Sequence, residues 1–360
     1  MKTASRFMTV ALLALVFLGA SPARAADLYT VRGVHVDETA KSATDARSLA
    51  QAEGQRLALT LLLKRLTLSS DWPQLPQADD KTAQDAVLGF QVANEKTSST
   101  RYIADLTVSF QPATVKQMLR SRGIAYGETQ AKPALLLAVL QTGGNAPTLW
   151  EGQNPWRDAW AATDLADAIT PLIMPLGDVQ ELSTVTPQQA LSGDRAALSA
   201  LAASYGTDEV VVASAVVSAD GTRLDATVTR YGAQAAAPIR RSYNTTAAGA
   251  DGFSAMARGA ASDLLLAVSD NWKRAIVVRG GAAAQLTASV YFSTLDQWQA
   301  IRKALTTEPL VSGLQVEGIA ADGAQVEIDY RGTPDQLALS LAQSNVSLAQ
   351  DADGWSLRLK

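Results

Sequence analysis

Apolar and polar residues alternate along residues 28–37, with Tyr29, Val31, Val34 and Val36 on one side and a break near Gly33. A period of two predicts a half-buried strand, and the glycine marks a bulge. From Ser42 to Leu68 the spacing becomes helical, with Ala46, Leu49, Ala50, Leu57, Leu61, Leu62 and Leu66 on one broad stripe. Thr39 or Ser42 caps its start, and Asp71-Trp72-Pro73 ends it because proline has no amide to continue the ladder. A short helix over 82–88 is followed by strands over 90–96 and 101–110, joined by the polar connection Thr97-Ser98-Ser99-Thr100. A helix over 114–122 stops at Gly123. These elements predict an N-terminal α+β unit over 26–131.

Past Pro133 the pattern changes. Residues 134–140 (ALLLAVL) and 210–217 (VVVASAVV) are continuous apolar runs of strand length, the mark of strands covered on both faces. A helix over 194–205, capped by Ser192 or Asp194 and ended by Gly206, lies between them. Asp220-Gly221 joins strands over 210–218 and 223–231 as a hairpin. A weaker strand over 239–245 and a long helix over 251–272 complete a central three-layer α/β domain, residues 132–274. Residues 275–360 then read strand 286–292, helix 295–305 capped by Ser293 or Thr294, strands 310–319 and 324–330 about Asp322-Gly323, helix 334–343, and short strands 346–350 and 354–359. The order β-α-β-β-α-β predicts a ferredoxin-like domain with an extra C-terminal hairpin.

Residues 1–25 follow a different logic. Lys2 and Arg6 precede an uncharged apolar run from Met8 to Ala20, Ser21-Pro22 breaks it, and Ala23-Arg24-Ala25 is a small-x-small cleavage site before Ala26. This predicts a secretory signal peptide cut between Ala25 and Ala26, and hence a periplasmic protein. The run is about 13 residues, short of the ~20 that cross a bilayer. No later run reaches that length, so the expected mature chain is soluble and not stably inserted in a membrane.

Composition mainly excludes. The formal charge is −4, and it becomes three units more negative without Lys2, Arg6 and Arg24. That argues against nucleic acid or anionic lipid as a partner. With no cysteine and His35 as the one histidine, thiolate metal sites, a lipidated N-terminus and multi-imidazole zinc sites are excluded. No cofactor, metal or catalytic residue is expected. His35 lies at a polar position of the first strand with no nucleophile-elbow motif nearby, which predicts a solvent-facing side chain. Gly280-Gly281 lacks the frame of a phosphate loop. Asp164 and Asp178, with Asp167 and Glu181, form the one acidic grouping open to paired-carboxylate or calcium chemistry, although acids at helix starts explain them more simply. The most suggestive cluster is Trp150, Asn154, Trp156 and Trp160 in a Gly/Asn/Pro-rich stretch. Exposed, these would stack on a glycan or a peptide; at helical spacing, Trp156 and Trp160 would pack as a core pair.

Several stretches resemble domain of unknown function 2066, a family of exported proteobacterial proteins. They are Tyr29-Thr30-Val31-Arg32-Gly33-Val34, then Ala46-Arg47, Ala50, Gly54-Gln55-Arg56 and Ala58-Leu59. Further on come Tyr102-Ile103-Ala104-Asp105 leading to Phe110, Leu176-Gly177-Asp178 and Tyr205-Gly206-Thr207-Asp208. The resemblance implies a compartment and an architecture but no reaction. The middle segment is similar to TolB N-terminal and CsgG-type α/β domains, which bind other proteins. The expectation is a non-catalytic cell-envelope accessory protein whose partner is another envelope protein. The alternative is a periplasmic small-ligand or glycan-binding protein using Trp150 to Trp160.

Overall fold

Three sheets organise the chain, each with its own apolar core. The computed structural model describes residues 28–150, 152–247, 249–279 and 283–360, a mixed α/β architecture with 11 helices, one of them 3-10. The expected signal peptide, its cleavage site at Ala25 and Ala26, and Gly280-Gly281 lie outside the described residues. Among those residues no helix is long and apolar enough to cross a membrane.

The first sheet has the order β1 (Thr30–Thr39), β3 (Arg101–Phe110), β2 (Val87–Thr97), all antiparallel. The β1–β3 register slips between Val31 and Val34, so the bulge falls at Gly33. Helix α1 (Ala43–Leu66) is capped by Ser42, whose side chain accepts from the Asp45 amide. It lies on the sheet through Ala46, Ala50, Ala58, Leu59, Leu62, Leu63 and Leu66. At Gly54 the helix approaches so closely that a Cβ would run into Leu106 and Val36. Leu49, Leu57 and Leu61, expected on the buried stripe, are exposed. The apolar arc of α1 is broader than its contact with the sheet, and the small residues take the contact. A 3-10 turn (Ser69–Gln74), α2 (Asp80–Ala86) and α3 (Pro112–Ser121) complete this unit.

The second sheet runs β5 (Leu172–Ile173), β4 (Ala134–Thr142), β6 (Val210–Val217), β7 (Arg223–Tyr231), β8 (Ile239–Asn244). Strand β4 is parallel to β5 and β6, and the remaining pairs are antiparallel. One face packs Leu136, Ala138, Val211 and Ala213 against α4 (Pro155–Ala161) and α8 (Gly249–Ile276). The other packs Leu135, Leu137, Val139 and Val212 against α6 (Pro187–Ser192) and α7 (Arg195–Ser204). Burial on both sides is why β4 and β6 are continuous apolar runs. Helix α5 (Val179–Thr184) precedes α6; neither it nor two-residue β5 stands out in the pattern.

The third sheet is built from β9 (Ala283–Tyr291), β10 (Val311–Ile319), β11 (Gly323–Arg331), β12 (Val346–Asp351) and β13 (Gly354–Leu359), in the order β10-β11-β9-β13-β12. Helices α9 (Leu295–Thr307) and α10 (Pro334–Gln343) supply Trp298, Ile301, Leu305, Leu337 and Leu341 to its core. The last strand, β13, pairs with β9 in parallel and separates it from β12. Helix α8 runs to Ile276, and its final turns place Trp272 and Ile276 against Ala131 and Ile169. The Trp272 indole donates to Thr129 O at 2.8 Å.

Candidate functional site

The residues expected to form a tryptophan surface do something else. Asn154 caps α4, its Oδ1 accepting from Arg157 N at 3.0 Å while its Nδ2 donates to Ala138 O at 3.2 Å. Trp156 and Trp160 face inward from α4, fully buried and edge-to-face with ring centroids 5.7 Å apart. The Trp156 indole donates to Ala213 O at 2.8 Å, so the ring is tied to the sheet. Neither ring presents a face to a glycan or a peptide. Their spacing of four turns both into the core, because α4 is sandwiched between the sheet and α8. Trp150 is half-buried and donates to Val185 O at 2.7 Å.

What this stretch supports is a turn. Pro175 and Leu176 carbonyls accept from Arg157 Nη2 at 2.7 and 2.9 Å. Gly177 takes φ +83°, a conformation open to residues without a Cβ, and the chain then enters α5. Asp178 and Glu181 form a capping box: Glu181 N donates to Asp178 Oδ1 and Asp178 N to Glu181 Oε2, each at 2.9 Å. Glu181 is buried and also accepts from Gly177 N and from the Tyr205 hydroxyl. Burial, and then Glu181, raise the Tyr205 hydroxyl above its ordinary pKa. The stretches Leu176-Gly177-Asp178 and Tyr205-Gly206, far apart in sequence, thus meet through one carboxylate.

The turn so braced displays apolar side chains. Leu176 is 81 % and Val179 85 % exposed, and Leu182, one helical turn further, is also exposed. Exposed apolar side chains that fall together on one turn can mark a surface for protein contact. The sequence signal for it was the D-x-x-E capping pattern beside Leu176 and Val179. The bond to Tyr205 has no local signal.

The other candidates are dispersed. Asp167 accepts from Arg32 Nη1 at 2.7 Å and Arg32 N at 3.2 Å, with Arg65 3.9 Å away, so it joins the first unit to the second. Asp164 accepts from Asp167 N, and burial pushes its carboxyl up. Asp178 is occupied as a cap on α5. His35 is exposed on β1, its Nδ1 2.8 Å from Asp105 Oδ1. The Asn94 amide and then His35 hold that carboxyl below its ordinary value. No group of three or more His, Asp or Glu side chains gathers at metal-binding distance among the described residues.

Residues 27–128 match the model of a family described as a domain of unknown function, DUF8605. The matched stretch coincides with the first sheet and its helices, and leaves the second and third sheets unmatched. No curated protein matches the chain.

Proposed function

We propose that this chain is a non-catalytic accessory protein of the bacterial cell envelope, exported to the periplasm and working through contact with another envelope protein. The observation that carries the reading is the braced turn at Leu176, Val179 and Leu182. An exposed leucine in a floppy loop loses conformational freedom on binding; one already held by Glu181, Tyr205 and Arg157 loses little, so its burial is available to affinity. The apolar tip would enter a pocket on the partner. The resemblance to domain of unknown function 2066 supports the compartment, and the likeness of the middle segment to TolB N-terminal and CsgG-type α/β domains supports a role in protein contact. Of the candidate groups, Asp167 serves an ion pair, Asp178 and Glu181 a helix cap, and His35 an exposed sheet face.

The test is site-specific photo-crosslinking in cells, with the photoreactive residue at Val179 and, as control, at exposed Lys81 on α2. A discrete protein adduct from position 179, absent from position 81 and lost on Leu176→Asp, is expected. Equal adducts from both positions, or none from 179, would overturn the reading.

A further inference from the structure

A cavity of about 320 Å³ lies between β7, the connection from β7 to β8, the last turns of α8, and α10. Val228, Ile239, Val268, Trp272 and Leu339 line it, together with Arg230 and Gln234. The volume falls in the range of small-molecule sites, and such sites are mostly apolar with a few placed polar groups. Two of these lining residues carry a buried side-chain atom with no hydrogen-bond partner among the described residues: Arg230 Nη2, a donor, and Gln234 Oε1, an acceptor. Unpaired buried polar atoms are rare in native proteins, and two on residues lining one cavity call for an explanation.

Their neighbours fix both in place. Glu209, fully buried, accepts from Arg230 Nε at 2.9 Å and from Gln234 N at 3.0 Å. Gln234 Nε2 donates to Gln343 Oε1 at 2.7 Å, which settles the amide's orientation and leaves its oxygen free. Glu209 already balances the guanidinium, so the wall carries no surplus positive charge. A carboxylate entering here would meet the Gln234 oxygen with no proton to offer and the Glu209 charge behind it. A hydroxyl or a primary amide suits both atoms, because it accepts from Arg230 and donates to Gln234.

We propose that this cavity binds a neutral apolar small molecule ending in a hydroxyl or primary amide, whose polar end bridges Arg230 Nη2 and Gln234 Oε1. This site is separate from the braced turn and does not rest on the protein-contact reading.

Trp272 in the wall provides the readout. Titrating the purified protein with 1-hexanol and with hexanamide is expected to give a saturable change in tryptophan emission that disappears in Trp272→Phe. Hexanoate should bind far more weakly at neutral pH. Gln234→Leu should weaken hexanol binding roughly fivefold, the worth of one neutral hydrogen bond. Ala275→Phe, at the exposed mouth, should block it. Hexanoate binding as tightly as hexanol, an emission change that survives Trp272→Phe, or no saturation up to the solubility of hexanol would each overturn the proposal. The comparison of alcohol with carboxylate uses the unaltered chain and stands even if a variant misfolds.

Discussion

Lys273 on α8 donates from Nζ to Thr67 O, 2.7 Å away at the end of α1 and 206 residues distant in sequence. The same ammonium donates to Lys64 O at 2.9 Å, so one buried lysine satisfies two carbonyls that the end of α1 leaves without helical partners. Asp270, one turn back on α8, lies 3.5 Å from the ammonium and accepts from the amide and hydroxyl of Ser69. Burial lowers the Lys273 pKa, with Asp270 opposing the shift. A charged group brought out of water in this way joins the first unit to the second only while both partners remain.

Lys273→Met should therefore cost about 3–5 kcal/mol, because it leaves Asp270 buried and unpaired. Adding Asp270→Leu to it should recover part of the loss. Urea unfolding of both variants measures this, and a single substitution as stable as the parent would show that the cluster does not hold the units together.

The two indoles of α4 should respond differently to loss of their N–H. Trp156 donates to Ala213 O, whereas the buried Trp160 Nε1 has no partner among the described residues. Trp156→Phe should be the more destabilising of the two by about 1 kcal/mol, the net value of a neutral hydrogen bond. Thermal unfolding of the pair of variants decides it; the opposite ranking would contradict the bonding described for α4.

Glu181 accepts from two amides and a hydroxyl at the braced turn, so Glu181→Ala should orphan all three donors and cost about 1–3 kcal/mol. Amide exchange should accelerate over residues 176–182 and stay unchanged in β9 to β13. Tyr205→Phe should give a milder form of the same pattern.

Glu308 supplies a pH dependence. Burial raises its carboxyl above the ordinary 4.5, against hydrogen bonds from the Ser340 hydroxyl and Leu310 N. Above pH 4.5 the unfolded chain gives up this proton while the native chain keeps it, so the carboxyl's contribution to stability falls as pH rises and is complete only below 4.5. Glu308→Gln should lose that slope: relative to the parent, the variant should gain stability as pH rises from 4.5 toward neutrality. Urea midpoints of both proteins across that window test the sign.

Local signals carried much of the fold. Ser42 and Asp194 mark helix starts through their own side chains, and Asp220-Gly221 sets a hairpin in which Val217 faces Leu224. Mixed α/β architecture follows from such punctuation together with the two doubly buried runs. On α1, Ala46, Ala50, Leu62 and Leu66 of the expected stripe are buried, while Leu49, Leu57 and Leu61 are exposed, because close packing on the sheet around Gly54 narrows the contact and favours small residues. The fate of Trp156 and Trp160 was open in sequence, since spacing of four suits a ligand face and a core face alike. The meeting of Glu181 with Tyr205, and of Gln234 with Gln343, depends on tertiary placement and left no trace in spacing.

The position of β13 also decides what holds the third sheet together. Residues 354–359 follow β12 in the chain, yet in the sheet they lie between β9 and the edge strand β12. Without β13, β9 and β12 have no common neighbour, and the third sheet is left half-built. A proline placed within β13 would therefore remove a keystone, exposing two strand margins at once to whatever polypeptide lies nearby.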